Sequence, residues 1–142
     1  MNSGKAAENG SVARVLIVDD NSDAAKTTGM WLELTGHDVD VVVDASECLS
    51  HLEAFNPDIV LLDIAMPGIS GYDLAKKIRL NPRFENLPII AISGFADQGH
   101  AQMSMAAGCN QHLAKPVDLH ALKDVIAEKV QNRIQLPGGK GA

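Results

Sequence analysis

The sequence has few of the features that mark several classes of protein, and each absence argues against one kind of site or function. Its 142 residues include two cysteines, Cys48 and Cys109, which lie in different segments without CxxC spacing. We therefore expect two reduced core residues rather than a disulfide or a catalytic thiol. The five histidines show no HExxH or paired-ligand spacing, which argues against a zinc site.

Excess positive charge and long apolar runs are also missing. The formal net charge is -6, whereas binding to phosphate backbones or anionic membranes requires a basic face. No apolar run is long enough to cross a bilayer, and residues 1–12 lack the apolar centre of a secretory signal. We expect a cytoplasmic protein whose domain binds neither nucleic acid nor membrane.

The remaining composition is that of one globular domain, with 46% apolar and 21% charged residues. Residues 1–11 are polar and without periodicity, and they predict a disordered lead or linker. Residues 12–132 carry the periodic segments and predict the domain. Residues 133–142 include a Pro- and Gly-containing segment that predicts a disordered tail.

Short apolar runs alternate with helical patterns along the whole domain. Strands are predicted at 13–18, 39–43, 59–63, 87–92 and 110–114, and helices at 22–35, 45–55, 70–80, 97–107 and from 118 onward. This alternation with short joints predicts an α/β protein with one doubly wound, five-stranded parallel sheet. We expect the flavodoxin-like strand order 2-1-3-4-5.

Two helix patterns make specific predictions about the buried faces. The first helix places Ala24, Thr28, Trp31, Leu32 and Thr35 at helical spacing. The second helix is expected to turn Cys48, Leu49 and Leu52 inward. In the third helix, Ser70 followed by Asp73 is a capping-box pattern.

Polar side chains follow four of the predicted strands. Asp19 and Asp20 follow the first strand, Asp63 ends the third, Ser93 follows the fourth and Lys115 follows the fifth. In the order 2-1-3-4-5, strands one and three are neighbours at the switch point, so their three carboxylates should converge. Such carboxylates repel one another unless a cation lies among them, and Mg²⁺ is the natural partner for oxygen ligands.

These side chains are the parts needed to bind a phosphoryl group. A metal, an ammonium group at Lys115 and a hydroxyl group at Ser93 would spread the charge of the transition state around Asp63. Asp63 would then be the nucleophile that becomes an aspartyl phosphate. Each residue also has a plain alternative: Asp20 and Asp63 as helix caps, Ser93 as a turn hydroxyl, and Lys115 as a surface lysine.

Four segments resemble the receiver domain of bacterial two-component response regulators, and among these the receivers of hybrid histidine kinases most. They are LIVDDN (16–21), VLLDIAMPGISG (60–71), AISG (91–94) and HLAKPVDL (112–119), and the resemblance covers residues 13–130. It implies a signalling domain that takes phosphate from a histidine kinase or a histidine phosphotransfer protein and then switches a protein-interaction surface. It also implies a monomer or a weak, phosphorylation-dependent dimer.

The resemblance implies a set of Mg²⁺ ligands. Asp20 and Asp63 would bind the metal directly, Asp19 largely through water, and Ala65 through its backbone carbonyl. Asp63 would accept the phosphoryl group. The domain would thus be no enzyme acting on other substrates, but a regulatory domain that catalyses its own phosphorylation and dephosphorylation.

The same resemblance implies that Ser93 and Lys115 contact the phosphoryl oxygens and that the bond between Lys115 and Pro116 is cis. One position departs from the family, which usually has Tyr or Phe three residues before the lysine. Here that residue is His112, for which a switch role and an ordinary half-buried strand position both stay open.

The resemblance also bears on how long the phosphate lasts. Two side chains would flank the approach of the hydrolytic water, and here they are Ala65 and Phe95. Neither can orient a water, so we expect slow dephosphorylation, unless Phe95 points into solvent or toward a partner and is irrelevant to the rate.

Two other functions fit the fold class less well. A phosphohydrolase with an aspartyl nucleophile would need an acid two residues later, where this chain has Ala65. A flavodoxin-like cofactor binder would need a phosphate cradle after the first strand, where Asp19 and Asp20 would repel an anion.

Overall fold

The structure, a computed structural model, describes residues 12–66, 68–94 and 98–135. The expected lead and most of the expected tail, as well as Phe95, lie outside the described residues. The strands are β1 Arg14–Val18, β2 Asp38–Val42, β3 Ile59–Asp63, β4 Ile89–Ser93 and β5 Gln111–Ala114. The helices are α1 Ser22–Leu34, α2 Cys48–Phe55, α3 Gly71–Leu80, α4 Gln98–Ala106 and α5 Leu119–Gln135, with 3₁₀ turns at Ala45–Glu47 and Pro82–Phe84.

All strand pairs are parallel, and the sheet has the order β2-β1-β3-β4-β5. The predicted fold is therefore confirmed. Buried side chains form one cluster with α2 and α3 on one face of the sheet and a second cluster with α1 and α5 on the other. Because β3 and β4 are covered on both faces, every residue in them is buried, which explains their uninterrupted apolar sequence.

Two helices that begin next to the carboxyl end of the sheet, α1 and α3, are capped by side chains. Asn21 Oδ1 accepts the N–H of Ala24 at 3.1 Å, and Ser70 Oγ accepts the N–H of Asp73 at 3.1 Å. Each bond satisfies one of the free N–H groups of a first helical turn. The caps therefore fix where α1 and α3 start relative to the strands before them.

The predictions of which faces of two helices are buried were partly wrong. Leu49 is 42% exposed, although Cys48 and Leu52 are buried as expected. The 3₁₀ turn Ala45–Glu47 makes α2 begin only at Cys48, and the buried stripe then runs through Cys48 and Leu52, with Leu49 on its flank.

In α1 the buried residues are Ala25, Gly29 and Leu32. Ala24, Thr28 and Trp31, which the helical spacing had favoured, are half-buried. The face against the sheet is therefore rotated from the predicted one, because the small residues Ala25 and Gly29 allow the close approach of α1. A Cβ atom on Gly29 would lie 3.3 Å from Val39 Cγ1.

The C-terminal helix α5 continues to Gln135, beyond the expected domain limit at residue 132. On this helix Leu122, Ile126 and Val130 are buried, and Leu119 is half-buried. Across residues 12–66, 68–94 and 98–135, no helix combines the length and apolarity that membrane crossing requires.

Both cysteines are reduced and buried, as predicted. Burial raises the pKa of the Cys48 thiol to about 12 and that of Cys109 to about 11. Neither forms the thiolate at neutral pH, so neither is a reactive thiol.

His37 links pH to stability, and it supplies a first prediction. Its Nδ1 accepts the N–H of Ala13 at 3.0 Å, which a protonated ring could not do. Burial, assisted by the charge of Lys123, lowers the pKa of His37. The unfolded chain therefore binds this proton more tightly, and the free energy of unfolding should fall as the pH drops below about 6.5.

Urea titrations at pH 7.5 and pH 5.5, values that bracket the ordinary histidine pKa of about 6.5, would measure this dependence. His37→Gln should lose most of the difference between the two pH values, and His120→Gln, which alters an exposed histidine, should keep it. An unchanged difference in His37→Gln would contradict the assignment.

Candidate functional site

The three predicted carboxylates meet at the carboxyl ends of β1 and β3. Val18 pairs with Leu62 in the parallel register, so Asp19 and Asp63 each stand one residue further along neighbouring strands. Asp19, Asp20 and Asp63 each offer a carboxylate oxygen, and these atoms lie within 4.8 Å of one another. The convergence that the strand order predicted is thus present.

Backbone N–H groups orient two of the carboxylates. Asp19 Oδ1 accepts the N–H of Asn21 at 3.0 Å, and Asp63 Oδ1 accepts the N–H of Ala65 at 3.1 Å. The other oxygen of each group faces Lys115, whose Nζ lies 3.4 Å from Asp63 Oδ2 and 3.7 Å from Asp19 Oδ2. Asp63 is the more enclosed of the two, with its side chain 4% exposed.

Lys115 and Ser93 are held side by side. The backbone N–H of Lys115 donates to the carbonyl oxygen of Ser93 at 2.9 Å, and the peptide bond from Lys115 to Pro116 is cis, as the resemblance implied. Ser93 is buried at the carboxyl end of β4. The strand that follows Ser93 in the sheet therefore delivers the ammonium group to the carboxylates.

The charges in this crevice do not balance. Burial raises the pKa of Asp19, and the neighbouring Asp63 carboxylate raises it further. Against three carboxylates the described residues place one ammonium group, that of Lys115, which lies near Asp19 and Asp63, so a divalent cation would offset the remaining negative charge. The donor set consists of carboxylate oxygens from three residues, which is the chemistry that Mg²⁺ prefers. The residues present fit that ion.

The remaining predicted site residues lie at the rim. Asp20 and Ala65 are exposed beside the buried pair Asp19 and Asp63. His112 is half-buried in β5, where it pairs with Ala91, and its role as a switch stays a prediction.

Gly71, the first residue of α3, was not among the predicted site residues. A Cβ atom there would lie 2.6 Å from the carbonyl oxygen of Asp63 and 2.6 Å from Ile64 Cα. The N–H of Gly71 also donates to the carbonyl oxygen of Ile64 at 2.9 Å. Glycine is thus required for α3 to press against the end of β3. A glycine in the first turn, directly after the cap residue Ser70, was the available signal.

A cavity of about 710 Å³ opens from the carboxylates along α1. Ala24 and Thr28 form one wall, and Val117 and Leu119, next to Pro116, form the other. The carboxylates at its end are therefore accessible from outside, next to an apolar surface.

A second prediction follows from the repulsion among the carboxylates. Asp19→Asn keeps an oxygen for the N–H of Asn21 and removes one buried charge. In chelator it should raise the midpoint of thermal unfolding by a few degrees, which corresponds to about 1 kcal/mol in a domain of this size. Mg²⁺ should then stabilise the variant less than the wild type.

Thermal unfolding in chelator and in Mg²⁺ would test this, with Asp23→Asn as the matched control because Asp23 is exposed in the first turn of α1. An Asp19→Asn variant that is less stable than the wild type in chelator would contradict the repulsion.

The chain is similar to known proteins over most of its length. A family model for the response regulator receiver domain matches residues 15–127. The CAI-1 autoinducer sensor kinase/phosphatase CqsS of Vibrio cholerae is 36% identical over 118 residues, which is 82% of this chain and 17% of that protein. The response regulator Rre1 of Synechocystis is 30% identical over 113 residues, which is 79% of this chain and 49% of that protein. The chain thus spans half or less of the length of these two relatives.

Solved structures show the same architecture. The receiver domain protein (CheY-like) from Methanospirillum hungatei has a TM-score of 0.79 and 30% sequence identity, over 88% of this chain and 98% of that one. The chemotaxis response regulator CheY4 of Vibrio cholerae, at 24% identity and a TM-score of 0.78, shares the fold over 84% of this chain.

Proposed function

This chain belongs to the family of response regulator receiver domains of two-component signalling, and on that premise we propose that Asp63 accepts a phosphoryl group as an aspartyl phosphate. The observation that carries the proposal is the position of the Asp63 carboxylate. It is buried at a strand end, one of its oxygens lies 3.4 Å from the ammonium group of Lys115, and two further carboxylates stand beside it.

The proposed reaction moves a phosphoryl group from a phosphohistidine to Asp63. A carboxylate oxygen of Asp63 forms a bond to phosphorus, the bond from phosphorus to the imidazole nitrogen breaks, and its electron pair leaves with that nitrogen. The N–H of Ala65 donates a hydrogen bond to Oδ1 of Asp63, and Oδ2 is the oxygen that lies near the ammonium group of Lys115. The domain would thereby catalyse its own modification and, by attack of water, its reversal.

Three residues besides Asp63 have proposed roles at the phosphoryl group. The ammonium group of Lys115 balances charge on a phosphoryl oxygen, and the hydroxyl group of Ser93 donates to another. The backbone carbonyl of Ala65, together with the carboxylates, would hold Mg²⁺. When bound, that ion supplies positive charge beside the transferring group.

The donor is proposed to be a histidine kinase or a histidine phosphotransfer protein, and the result a switched protein-interaction surface. The apolar cavity beside the carboxylates offers a partner a surface next to the reacting group. A cytoplasmic location follows from this proposal, because the ATP that charges a histidine kinase is found there.

Incubation with phosphoramidate tests the proposed function without a partner protein. Intact mass spectrometry should show one phosphoryl adduct in Mg²⁺ and none in excess chelator, and none in protein unfolded with urea. An adduct that forms equally in chelator would contradict the metal requirement, and a missing adduct in Mg²⁺ would contradict the function.

The lifetime of the phosphate supplies a third prediction. Ala65 is exposed and its N–H donates to Asp63, so a side chain at this position would stand beside a phosphoryl group on Asp63. Ala65→Asn adds an amide that can orient a water, and it should speed dephosphorylation by about tenfold or less. The double variant, Ala65→Asn with Phe95→Ala, should lose the phosphoryl group at least as fast as Ala65→Asn alone.

Loss of the adduct in saturating Mg²⁺, followed by intact mass, measures this rate. Ala54→Asn is the control, since Ala54 is exposed on α2 away from the site. Equal rates in Ala65→Asn and wild type would mean that Ala65 does not limit hydrolysis.

A further inference from the structure

The outward face of α1 carries two large apolar side chains. Met30 is 62% exposed and Leu34 is 84% exposed, and their spacing of four residues puts them side by side on the helix. Beside them a groove of about 260 Å³ lies between α1 and β2. Val39 and Val41 of β2 line it, together with the buried Gly29 of α1.

Opposite charges flank this apolar face. Lys26 and Glu33 both line the groove, and they are separated by seven residues, or about 10 Å along the helix. Gly29 and Met30 stand midway between them. The face is therefore basic at one end, acidic at the other and apolar at the centre.

A surface with this arrangement is complementary to itself. If a second α1 lies antiparallel across the first, Lys26 of each copy faces Glu33 of the other, and a two-fold axis passes near Met30. Such an isologous contact repeats each favourable pair twice. The side chain of Met30 from one copy then meets the groove lined by Val39 and Val41 of the other.

We propose that the α1 face formed by Lys26, Met30, Glu33 and Leu34 pairs with the same face of a second copy of this chain. Of the other acidic groups near this face, Asp23 is exposed one turn before Lys26, and two carboxylates of β2 have partners on their own chain. Asp38 is paired with Arg14, and Asp40 with His51. The apolar patch is small, so the dimer is weak, with a dissociation constant on the order of 0.1–1 mM.

This pairing is independent of phosphorylation. The face lies along α1 and β2, and none of the carboxylates at the strand ends belongs to it. Asp63→Asn should associate like the wild type, so failure of the dimer and failure of the proposed phosphotransfer are separate results.

Sedimentation velocity from about 20 µM to about 1 mM tests the proposal on the full chain. The wild type should show a rapid monomer–dimer equilibrium. Lys26→Glu and Glu33→Lys should each weaken association by about tenfold, because each turns two attractions into two repulsions. The double variant, Lys26→Glu with Glu33→Lys, should recover the wild-type constant to within about threefold.

Matched controls separate this effect from net charge. Lys76→Glu on α3 and Glu53→Lys on α2 make the same charge changes at exposed positions on other helices, and they should leave association unchanged. Met30→Gln should abolish it while circular dichroism remains that of the folded chain.

Three results would overturn the proposal. A wild type that stays monomeric at the highest concentration has no such dimer. Association that survives both single charge reversals uses another surface, such as the free edge of β2. Single reversals that abolish association without recovery in the double variant exclude the antiparallel pairing of Lys26 with Glu33.

Discussion

Gly71→Ala is expected to destabilise the protein by about 3 kcal/mol or more, the upper range for an added group in a packed site. The new Cβ atom would lie 2.6 Å from two backbone atoms, the carbonyl oxygen of Asp63 and the Cα of Ile64. Backbone at the end of a central strand cannot move as a flexible side chain can. The strand end and the start of α3 must therefore separate, which displaces Asp63.

Two measurements check this expectation. Urea unfolding should show the loss of stability, and the phosphoramidate reaction in Mg²⁺ should be slowed under conditions where the variant is still folded. Gly94→Ala is the matched control, because a Cβ atom at Gly94 would meet nothing within 4 Å. If Gly71→Ala were as stable as Gly94→Ala, the close approach of α3 to β3 would not constrain the site.

Asp63→Asn is expected to lose the phosphoryl adduct completely. The asparagine has nearly the same shape, and its amide oxygen can still accept the N–H of Ala65 that holds Asp63 Oδ1. The amide is not a nucleophile toward phosphorus, so the loss is chemical rather than structural. The variant should remain folded, since it also removes one of three mutually repelling carboxylates.

The control for this variant is Asp73→Asn, which changes an exposed carboxylate in the first turn of α3 and should retain the adduct. Intact mass after phosphoramidate treatment gives the extent of reaction in each protein. An adduct of equal extent in Asp63→Asn would assign the phosphoryl group to another residue.

The strand ends were predictable because each depends on local sequence. Buried parallel strands are continuous apolar runs, and the first polar residue after such a run marks the carboxyl end. Asp63 after Ile59–Leu62 and Asp19 after Val15–Val18 follow that rule. Once the strand order is 2-1-3-4-5, the meeting of these carboxylates is a consequence of topology.

Contacts between distant segments were not predictable in this way. Arg79 reads as an exposed residue near the end of α3, yet its guanidinium group donates to the carbonyl oxygens of Gly108 at 2.7 Å and Phe84 at 2.7 Å. These hydrogen bonds hold the segment after α4 close to the turn after α3. A local sequence pattern cannot predict these two bonds, because their acceptors lie in different segments of the chain.

The same limit applies within the site. The sequence placed Lys115 at the end of β5 but could not give its distances to Asp63 and Asp19, which depend on the side-chain conformations of residues from three different strands. The exposure of Leu49 depended on which side of α2 faces the sheet, and Leu49 lies at the edge of the stripe that Cys48 and Leu52 form.

Chemical trapping tests most directly whether Asp63 carries the phosphoryl group. Borohydride reduces an aspartyl phosphate to homoserine with loss of phosphate, which marks the modified residue permanently. After phosphoramidate treatment in Mg²⁺, tandem mass spectrometry should find homoserine at position 63 and unchanged aspartate at positions 19 and 20. Homoserine at position 19 or 20, or an adduct that borohydride does not convert, would contradict the account.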